Sequence, residues 1–522
     1  MHRLLPVALL VVATIATTAT GSAQTPRPFD VTEATIADVH AAMRAGRLTC
    51  RALVQSYLRR IEAYDKRGPG LNAITVVNPD ALATADSLDT AFRARRQSVG
   101  SLHCIPMIVK DNMQTVGLQT AAGNIALAGY KPTKDAFQVK RIKDAGAIVL
   151  AKSNMAEFAF SPLETVNSLL PGYTHNPYDV NRVTAGSSGG TAAAVAASFG
   201  TIGLGTDTGN SIRGPSAHQA LVGIRSTMGL TSRAGIAPLS LFADIAGPMG
   251  RTVADAVAVF QVVAGFDADD PATAPSKDRA IPNYAEFLEK DGLKGARIGV
   301  LRQAFESAPV DSEVRAVFNR AVADLRKAGA TVIDTVIVAE SDSIRRSNRG
   351  GCSPFRAEIN AWLASQGSNV PVRSIDSIAK YANRYHPSIE ARLKSAVAVE
   401  GNPDTIPGCI GRQRVRDGLR DAVTRTMDRL SLDALVYPTW SFPPRLIGDA
   451  GTPAGDNSQV FSPTTGMPAI TVPMGYTRDN RLPAGMTFFG RAFDEGRLIR
   501  LSYGYEQATK WRKAPATTPV LR

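Results

Sequence analysis

The segment between Gly186 and Pro215 constrains the fold of this chain more than any other part of the sequence. It contains two turns rich in glycine and serine or threonine, at residues 186–190 and 205–211, with an alanine-rich run and a short apolar stretch between them. The alanine-rich run is apolar on every side, which predicts a buried helix, and the apolar stretch predicts a strand. A buried helix of small residues beside a strand indicates a sheet covered by helices.

Predicted strands and helices alternate through most of the chain. Strands are expected at residues 104–109, 147–150, 201–204, 297–301, 434–437, 469–472 and 486–489. Asp311 begins an amphipathic helix that ends at Gly329. This alternation predicts an α/β fold with three layers, α/β/α, in which helices flank a central sheet. The stretch 339–421 is more irregular, and we expect it to be a variable insertion that shapes the substrate site.

The N-terminus has the layout of a secretory signal peptide. Arg3 precedes an apolar run, and a small-residue exit predicts cleavage after Ala23. A short membrane anchor is the alternative, although the run is too short to span a bilayer comfortably. We therefore expect residues 1–23 to be removed and residues 24–522 to form one secreted or periplasmic domain that does not associate with the membrane.

The charged and metal-ligating residues argue against several classes of partner. The formal net charge of +13 comes from scattered basic residues, without a long basic run that includes aromatics, so nucleic-acid binding is not expected. The histidines and cysteines do not have the spacing of metal ligands. We therefore expect neither a metal nor an organic cofactor.

Four cysteines in an exported chain allow three disulfide pairings. Cys352 and Cys409 lie in the same loop-rich region and are the candidate pair. Cys104 lies at one end of the apolar run 104–109, where it begins, and could equally be a buried free thiol.

Two serines and a lysine are the candidate catalytic residues. Ser211 lies in the second turn, beside backbone N–H groups that can stabilise a tetrahedral oxyanion. Ser187 precedes the buried helix, whose N-terminus favours a developing negative charge. Neither serine has a histidine near it in the sequence. Lys110 follows six apolar residues, and burial can lower the pKa of a lysine enough for it to act as a neutral base.

Three motifs resemble those of the amidase signature family. They are Ile-Pro-x-x-x-Lys-Asp-Asn at residues 105–112, Gly-Ser-Ser-Gly-Gly at 186–190 and Thr-Asp-x-Gly-x-Ser-Ile-Arg-x-Pro at 206–215. The resemblance implies the amidase signature fold, with a central mixed β-sheet, and hydrolysis of C–N amide bonds without a cofactor. It also implies that Ser211 is the nucleophile, Ser187 the bridging serine in a cis peptide, and Lys110 the base.

The resemblance further implies an oxyanion hole formed by the backbone N–H groups of Thr208, Gly209, Asn210 and Ser211. Asn210 stands where most members of the family have glycine, so its side chain is expected to act as a specificity filter. An asparagine also tolerates a left-handed backbone, should the turn require one. Cys104 replaces the usual glycine before Ile-Pro, and we expect this change to affect packing more than chemistry.

Two other functions remain open on the sequence alone. Ser188 is the centre of a G-x-S-x-G pattern, so an exported esterase of the α/β-hydrolase type, with His386 as its base, is one of them. A non-catalytic exported solute-binding protein is the other, although binding alone does not require the lysine and both serines. The export signal disfavours the A subunit of glutamyl-tRNA amidotransferase. The expected partners are a small amide and water, for a monomer or homodimer, and the sequence does not identify the amide.

Overall fold

The structure is a computed structural model that describes residues 29–94, 100–348, 352–399 and 401–521. The predicted signal peptide at residues 1–23 lies outside the described residues.

Within this part of the chain, eleven strands form one mixed sheet in the order β1-β3-β2-β4-β6-β5-β10-β11-β9-β7-β8. The strands are Ile74–Val77 (β1), Pro106–Lys110 (β2), Ile148–Ser153 (β3), Ile202–Asp207 (β4), Val222–Arg225 (β5), Ile245–Gly250 (β6), Arg297–Val300 (β7), Thr331–Asp334 (β8), Ala434–Pro438 (β9), Ala469–Thr477 (β10) and Leu482–Phe489 (β11). Neighbours are parallel within β3-β2-β4 and β9-β7-β8, and antiparallel elsewhere.

Helices flank this sheet and complete the predicted α/β fold, which is confirmed. The α-helices are Ile36–Arg44 (α1), Cys50–Tyr64 (α2), Ala81–Ala94 (α3), Phe137–Asp144 (α4), Gly189–Ala196 (α5), Arg213–His218 (α6), Val253–Val263 (α7), Ser312–Lys327 (α8), Ser341–Arg346 (α9), Phe355–Ser365 (α10), Ile375–Ala379 (α11), Glu390–Val397 (α12), Pro407–Arg429 (α13), Ser462–Thr465 (α14) and Glu495–Thr509 (α15). Helix α5 is buried on every side, as its alanine-rich sequence predicts.

Every strand expected from the sequence is present, and four strands were missed. Strands β1 and β8 are short and lie at the two edges of the sheet, where exposed positions weaken the apolar pattern. Strands β5 and β6 lie inside the sheet, but β5 contains a glycine and β6 contains two glycines and a proline, residues that are typical of turns.

The stretch 339–421 is mostly helical rather than irregular, with α9 to α12 and the first part of α13. Its helices α10 to α12 share a separate apolar cluster with residues from the 121–130 and 158–160 segments. In that cluster the ring of Phe355 contacts the ring of Phe160, at a centroid distance of 4.9 Å. Helices α10 to α12 therefore pack against the segments that follow β2 and β3.

Two disulfides, Cys352–Cys409 and Cys50–Cys104, involve all four cysteines. The first is the candidate pair from the sequence. The second overturns the free-thiol alternative for Cys104, because the first turn of α2 brings Cys50 next to the segment that leads into β2. Cys104 has a φ of 61°, a left-handed conformation that favours glycine.

Removing the Cys50–Cys104 disulfide is expected to lower the free energy of unfolding by about 2–4 kcal/mol, because the bridge closes a long loop in the unfolded chain. Cys50→Ala/Cys104→Gly should show this loss in urea unfolding. Cys50→Ala/Cys104→Ala should be less stable by about 1 kcal/mol more, since alanine is strained at a positive φ. Equal stability of wild type and both variants would show that the bridge does not stabilise the fold.

Candidate active site

The edge of the sheet at which β2 and β4 end brings the predicted site residues together. The two strands are parallel neighbours, so their carboxyl ends face the same side. Lys110 is the last residue of β2, and Asp207 is the last residue of β4. Helix α5 begins directly after Ser187 and Ser188 and packs against both strands.

Two glycines explain why the second motif folds so tightly onto the sheet. A Cβ atom on Gly190 would lie 2.2 Å from the carbonyl oxygen of Asn154, so no larger residue fits there. A Cβ atom on Gly203 in β4 would lie 2.5 Å from the methyl group of Thr191 in α5. The close approach of helix and strand places Ser187 beside the end of β2.

The side-chain nitrogen of Lys110 lies among three hydroxyl groups. Its Nζ atom is 2.7 Å from Ser187 Oγ, 2.8 Å from Ser188 Oγ and 2.7 Å from Thr206 Oγ1. Lys110 and both serines are fully buried. The peptide bond between Gly186 and Ser187 is cis.

The hydrogen-bond pattern distinguishes Ser187 from the other two hydroxyl groups around a neutral Lys110. Ser188 Oγ donates to the carbonyl oxygen of Thr206 at 3.0 Å, so it can only accept from Lys110. Thr206 Oγ1 already accepts from Asn112 Nδ2 at 3.1 Å and can accept from Lys110 as well. A neutral amine has two N–H donors and one lone pair, and these two oxygens take both donors. The lone pair is then available to the hydroxyl group of Ser187.

Burial lowers the pKa of Lys110 to about 7. Two buried carboxylates, those of Asp207 and Asp244, oppose this shift by attracting the charged form, but desolvation is the larger effect. A substantial fraction of Lys110 is therefore neutral near pH 7.

A buried ion cluster holds the turn that carries Ser211. The carboxylate of Asp207 accepts from Arg213 Nε at 3.1 Å and from Arg225 Nη1 at 3.0 Å, and it also accepts from the backbone N–H of Ile212 at 3.1 Å. Arg213 donates to the carbonyl oxygen of Gly209 at 2.7 Å. The two guanidinium groups hold the pKa of Asp207 well below its usual range, so the cluster keeps its charges and fixes the turn.

The backbone N–H groups of residues 208–211 donate no hydrogen bond within the described chain. They are therefore available to a ligand oxygen. Asn210 does not have a positive φ, so the turn accepts its side chain without a left-handed backbone.

The hydroxyl group of Ser211 faces Asn210. Ser211 Oγ donates to Asn210 Oδ1 at 3.2 Å, and no hydrogen bond joins Ser211 to Ser187 in the described part of the chain. The structure thus brings Lys110 and Ser187 into contact and places Ser211 at the adjacent turn, where its hydroxyl group is hydrogen-bonded to Asn210.

A cavity of about 680 Å³ opens onto Ser211 and the neighbouring turn residues. Its walls include Trp440 and the buried ion pair between Glu164 and Arg445, whose Oε1 and Nη2 atoms are 2.6 Å apart. From the stretch 339–421 only one residue among those described, Arg392, lines the cavity. The predicted insertion thus contributes less to this cavity than residues 159–164 and 450–459 do.

Ser188 and His386 do not come together. The Ser188 hydroxyl group contacts Lys110 and Thr206, as above, whereas His386 Nδ1 lies 2.8 Å from Ser388 Oγ. Across the described residues no histidine forms a hydrogen bond with Ser188. The geometry does not favour the esterase alternative.

Several residues that organise the site are not predicted by the sequence. Asp207 and Arg213 lie inside the third motif, and their opposite charges six positions apart were the available signal. Arg225 and Asp244 lie outside the motifs, without a local signal. Asp244 accepts a hydrogen bond from the hydroxyl group of Thr208 at 2.5 Å and so supports the turn.

None of the helices in the described part of the chain has the length and apolar character of a membrane span. Among the same residues, no group of three or more His, Cys, Asp or Glu side chains could hold a metal ion.

Known proteins resemble this chain along most of its length. The family model described as Amidase matches residues 52–499. A probable amidase from Arabidopsis thaliana is 32% identical over 93% of this chain and 92% of the relative. The A subunit of glutamyl-tRNA(Gln) amidotransferase from Myxococcus xanthus is 32% identical over 92% of this chain and 98% of the relative. The X-ray structure of native peptide amidase from Stenotrophomonas maltophilia superposes with a TM-score of 0.81, at 34% identity, over 93% of this chain and 99% of that one.

Proposed function

Since the chain belongs to the amidase family and is a C–N amide hydrolase, we propose that it works through an acyl-enzyme intermediate on Ser211. The observation that carries this proposal is the buried Lys110, whose Nζ atom lies 2.7 Å from Ser187 Oγ and whose pKa is about 7. A lysine in this state is a general base of suitable strength near neutral pH.

In the proposed first step, the hydroxyl group of Ser211 turns from Asn210 toward Ser187. The neutral Lys110 takes the proton of Ser187, and Ser187 takes the proton of Ser211. The freed oxygen of Ser211 attacks the amide carbon, and the carbonyl oxygen becomes an oxyanion. The N–H groups of residues 208–211 stabilise this oxyanion because they are fixed before the charge develops.

In the proposed second step, the tetrahedral intermediate collapses and its C–N bond breaks. The leaving nitrogen receives the proton that Lys110 holds, passed back through Ser187, and departs as ammonia or an amine. Water then attacks the ester on Ser211 by the same proton path and releases the carboxylic acid. Base, nucleophile and oxyanion donors all come from the protein, so we expect chelators to leave activity intact.

A substrate screen tests the proposed reaction and narrows the substrate class. Peptide amides, aryl amides, small aliphatic amides and glutamine should be assayed for release of ammonia or amine. Peptide amides should be assayed first because the chain is similar to peptide amidase, and glutamine is included because the chain is similar to the amidotransferase subunit. Cleavage of at least one non-glutamine amide is expected. Release of ammonia from glutamine alone would favour the amidotransferase activity.

We also propose that the chain is exported and cleaved after Ala23. The two disulfides support export, because such bonds persist in oxidising compartments. The mature protein from the periplasm or the medium should begin at Gln24. An N-terminus that retains the apolar run would contradict cleavage.

Asn210→Gly should leave the enzyme active and change its acyl preference. The side chain of Asn210 lines the cavity beside Ser211, so its removal should shift discrimination between small and bulky acyl groups by about 1–3 kcal/mol. The measurement is kcat/KM for a small and a bulky acyl amide. Asn210→Ala is the matched control, because it removes the amide without the flexibility of glycine. An unchanged ratio in both variants would limit Asn210 to a backbone role.

A further inference from the structure

A second cavity, of about 510 Å³, lies behind the loop at residues 239–244. Leu239 lines the first cavity, whereas Leu241 and Phe242 line the second. Asp244, in the same loop, holds the hydroxyl group of Thr208. The two cavities are thus separated by the loop that supports the proposed oxyanion turn.

Three arginines on one face of α13 line this second cavity. Arg412, Arg416 and Arg420 are spaced four residues apart, so their side chains project in the same direction. None of them forms an ion pair with a described residue. Burial and the neighbouring arginines lower the pKa of Arg416 to about 9. The three positive charges therefore repel one another in a partly buried place.

The acidic part of the described lining does not neutralise this charge. Glu358 is the one carboxylate among the described lining residues, and it accepts the backbone N–H of Leu241 at 2.7 Å. Burial raises its pKa to about 7, so it is only partly ionised near neutral pH. A fourth arginine in the lining, Arg233, is already paired with Asp270 at 2.5 Å. The cavity thus has an excess of positive charge.

The guanidinium groups keep N–H donors for a ligand. Arg416 donates through Nε to the carbonyl oxygen of Thr464 at 2.9 Å and through Nη2 to Phe242, and its Nη1 donates to none of the described residues. Within the same part of the chain, Arg412 donates through Nη1 alone, to Cys352 Sγ. A planar guanidinium group presents five N–H donors in a fork that matches a carboxylate.

Much of the remaining wall is apolar. The ring of Phe242 lies under two guanidinium groups, with Cζ of Arg412 at 4.4 Å and Cζ of Arg416 at 3.5 Å from its centroid. Met228 and Phe493 add further apolar surface. A wall of this kind suits a ligand with an apolar body and an anionic end better than a fully hydrated inorganic anion.

We propose that this cavity is a second ligand site, which binds an organic carboxylate. The carboxylate accepts hydrogen bonds from Arg412 and Arg416, and the apolar part of the ligand packs against Phe242 and Phe493. Occupation would place the ligand in contact with the loop at residues 239–244. The site is separate from Ser211 and does not depend on the proposed reaction.

Isothermal titration of the full mature chain with benzoate tests the site, because binding heat does not require turnover. Wild type should bind benzoate at least about tenfold more tightly than the neutral acetophenone, which has a similar shape but no carboxylate for a charge-assisted pair and no amide bond to hydrolyse. Arg412→Gln and Arg416→Gln should each weaken benzoate binding by about tenfold or more. Arg414→Gln, an exposed position on the same helix, is the matched control and should bind as wild type does.

Three results would overturn the proposal: no benzoate binding, equal benzoate affinity in wild type and the Arg412 and Arg416 variants, or tighter binding of inorganic phosphate than of benzoate. Thermal melting should confirm that each variant is folded. Arg416→Gln could unfold because it loses its hydrogen bonds to two carbonyl groups. In that case the benzoate affinity of Arg412→Gln alone tests the proposal. Failure of the amidase reaction would leave these titrations unchanged, so the two proposals fail separately.

Discussion

Replacing Ser211 with alanine is expected to abolish amide hydrolysis, with a loss of at least about 10⁴-fold in kcat, since a nucleophile and its relay act as a unit. The hydroxyl group of Ser211 adjoins the N–H groups of the turn at residues 208–211, which donate to none of the residues that the structure describes. A serine-directed phosphonate should form an adduct on the Ser211 peptide of wild type and none on the variant. Mass spectrometry of the digested protein measures both results.

Ser188→Ala is the matched control for this experiment. Ser188 also lies within hydrogen-bond distance of Lys110. However, its hydroxyl group donates to the carbonyl oxygen of Thr206, so in the proposed mechanism it only orients the lysine. This variant should still be labelled on Ser211. An adduct on Ser188 in wild type would instead support the esterase alternative, with His386 as the first base to test.

Replacing Lys110 with alanine is expected to reduce kcat/KM by about 10²–10⁴-fold, the usual contribution of a general base, or by more because the relay depends on it. Lys110→Met is the companion variant, because its side chain fills most of the same space without an amine. Both variants should lose activity to a similar extent. If Lys110→Ala keeps more than about a tenth of the activity, the lysine is not the base.

The pH dependence of wild type gives an independent measurement of the same group. Burial lowers the pKa of Lys110 to about 7, and only the neutral amine can take a proton. Activity should therefore fall as the pH drops below about 7, by about tenfold for each further pH unit, and level off above it. An acidic limb set by a group with a pKa near 4 would point to a carboxylate base instead.

Some features of the candidate site and its surroundings can be predicted from the local sequence. Lys110, Ser187 and Ser211 could be named as candidates because each lies in a short motif that resembles those of the amidase signature family, and their catalytic roles stay a prediction. The burial of α5 could be predicted because a helix of alanines has no polar face to turn toward water. These features depend on neighbours in the chain.

Other features depend on neighbours in space. Asp207 meets Arg225 because β4 and β5 both pair with β6 in the sheet, although the two residues are 18 positions apart. Cys50 meets Cys104 across 54 positions, because α2 lies against the segment that leads into β2. The order of strands decides the first contact and the packing of α2 decides the second, and a single sequence states neither.

The protonation and the hydrogen bonds of the site likewise depend on the tertiary structure. The motifs named a lysine and two serines, but the sequence did not show that Ser188 and Thr206 would take the two N–H donors of a neutral Lys110. It also did not show that Ser211 would face Asn210. Residue types and local turns follow from the sequence by itself, because they are set by short-range sterics. Protonation and hydrogen-bond direction follow from the tertiary structure, because burial and packing from distant segments set the solvation of each group.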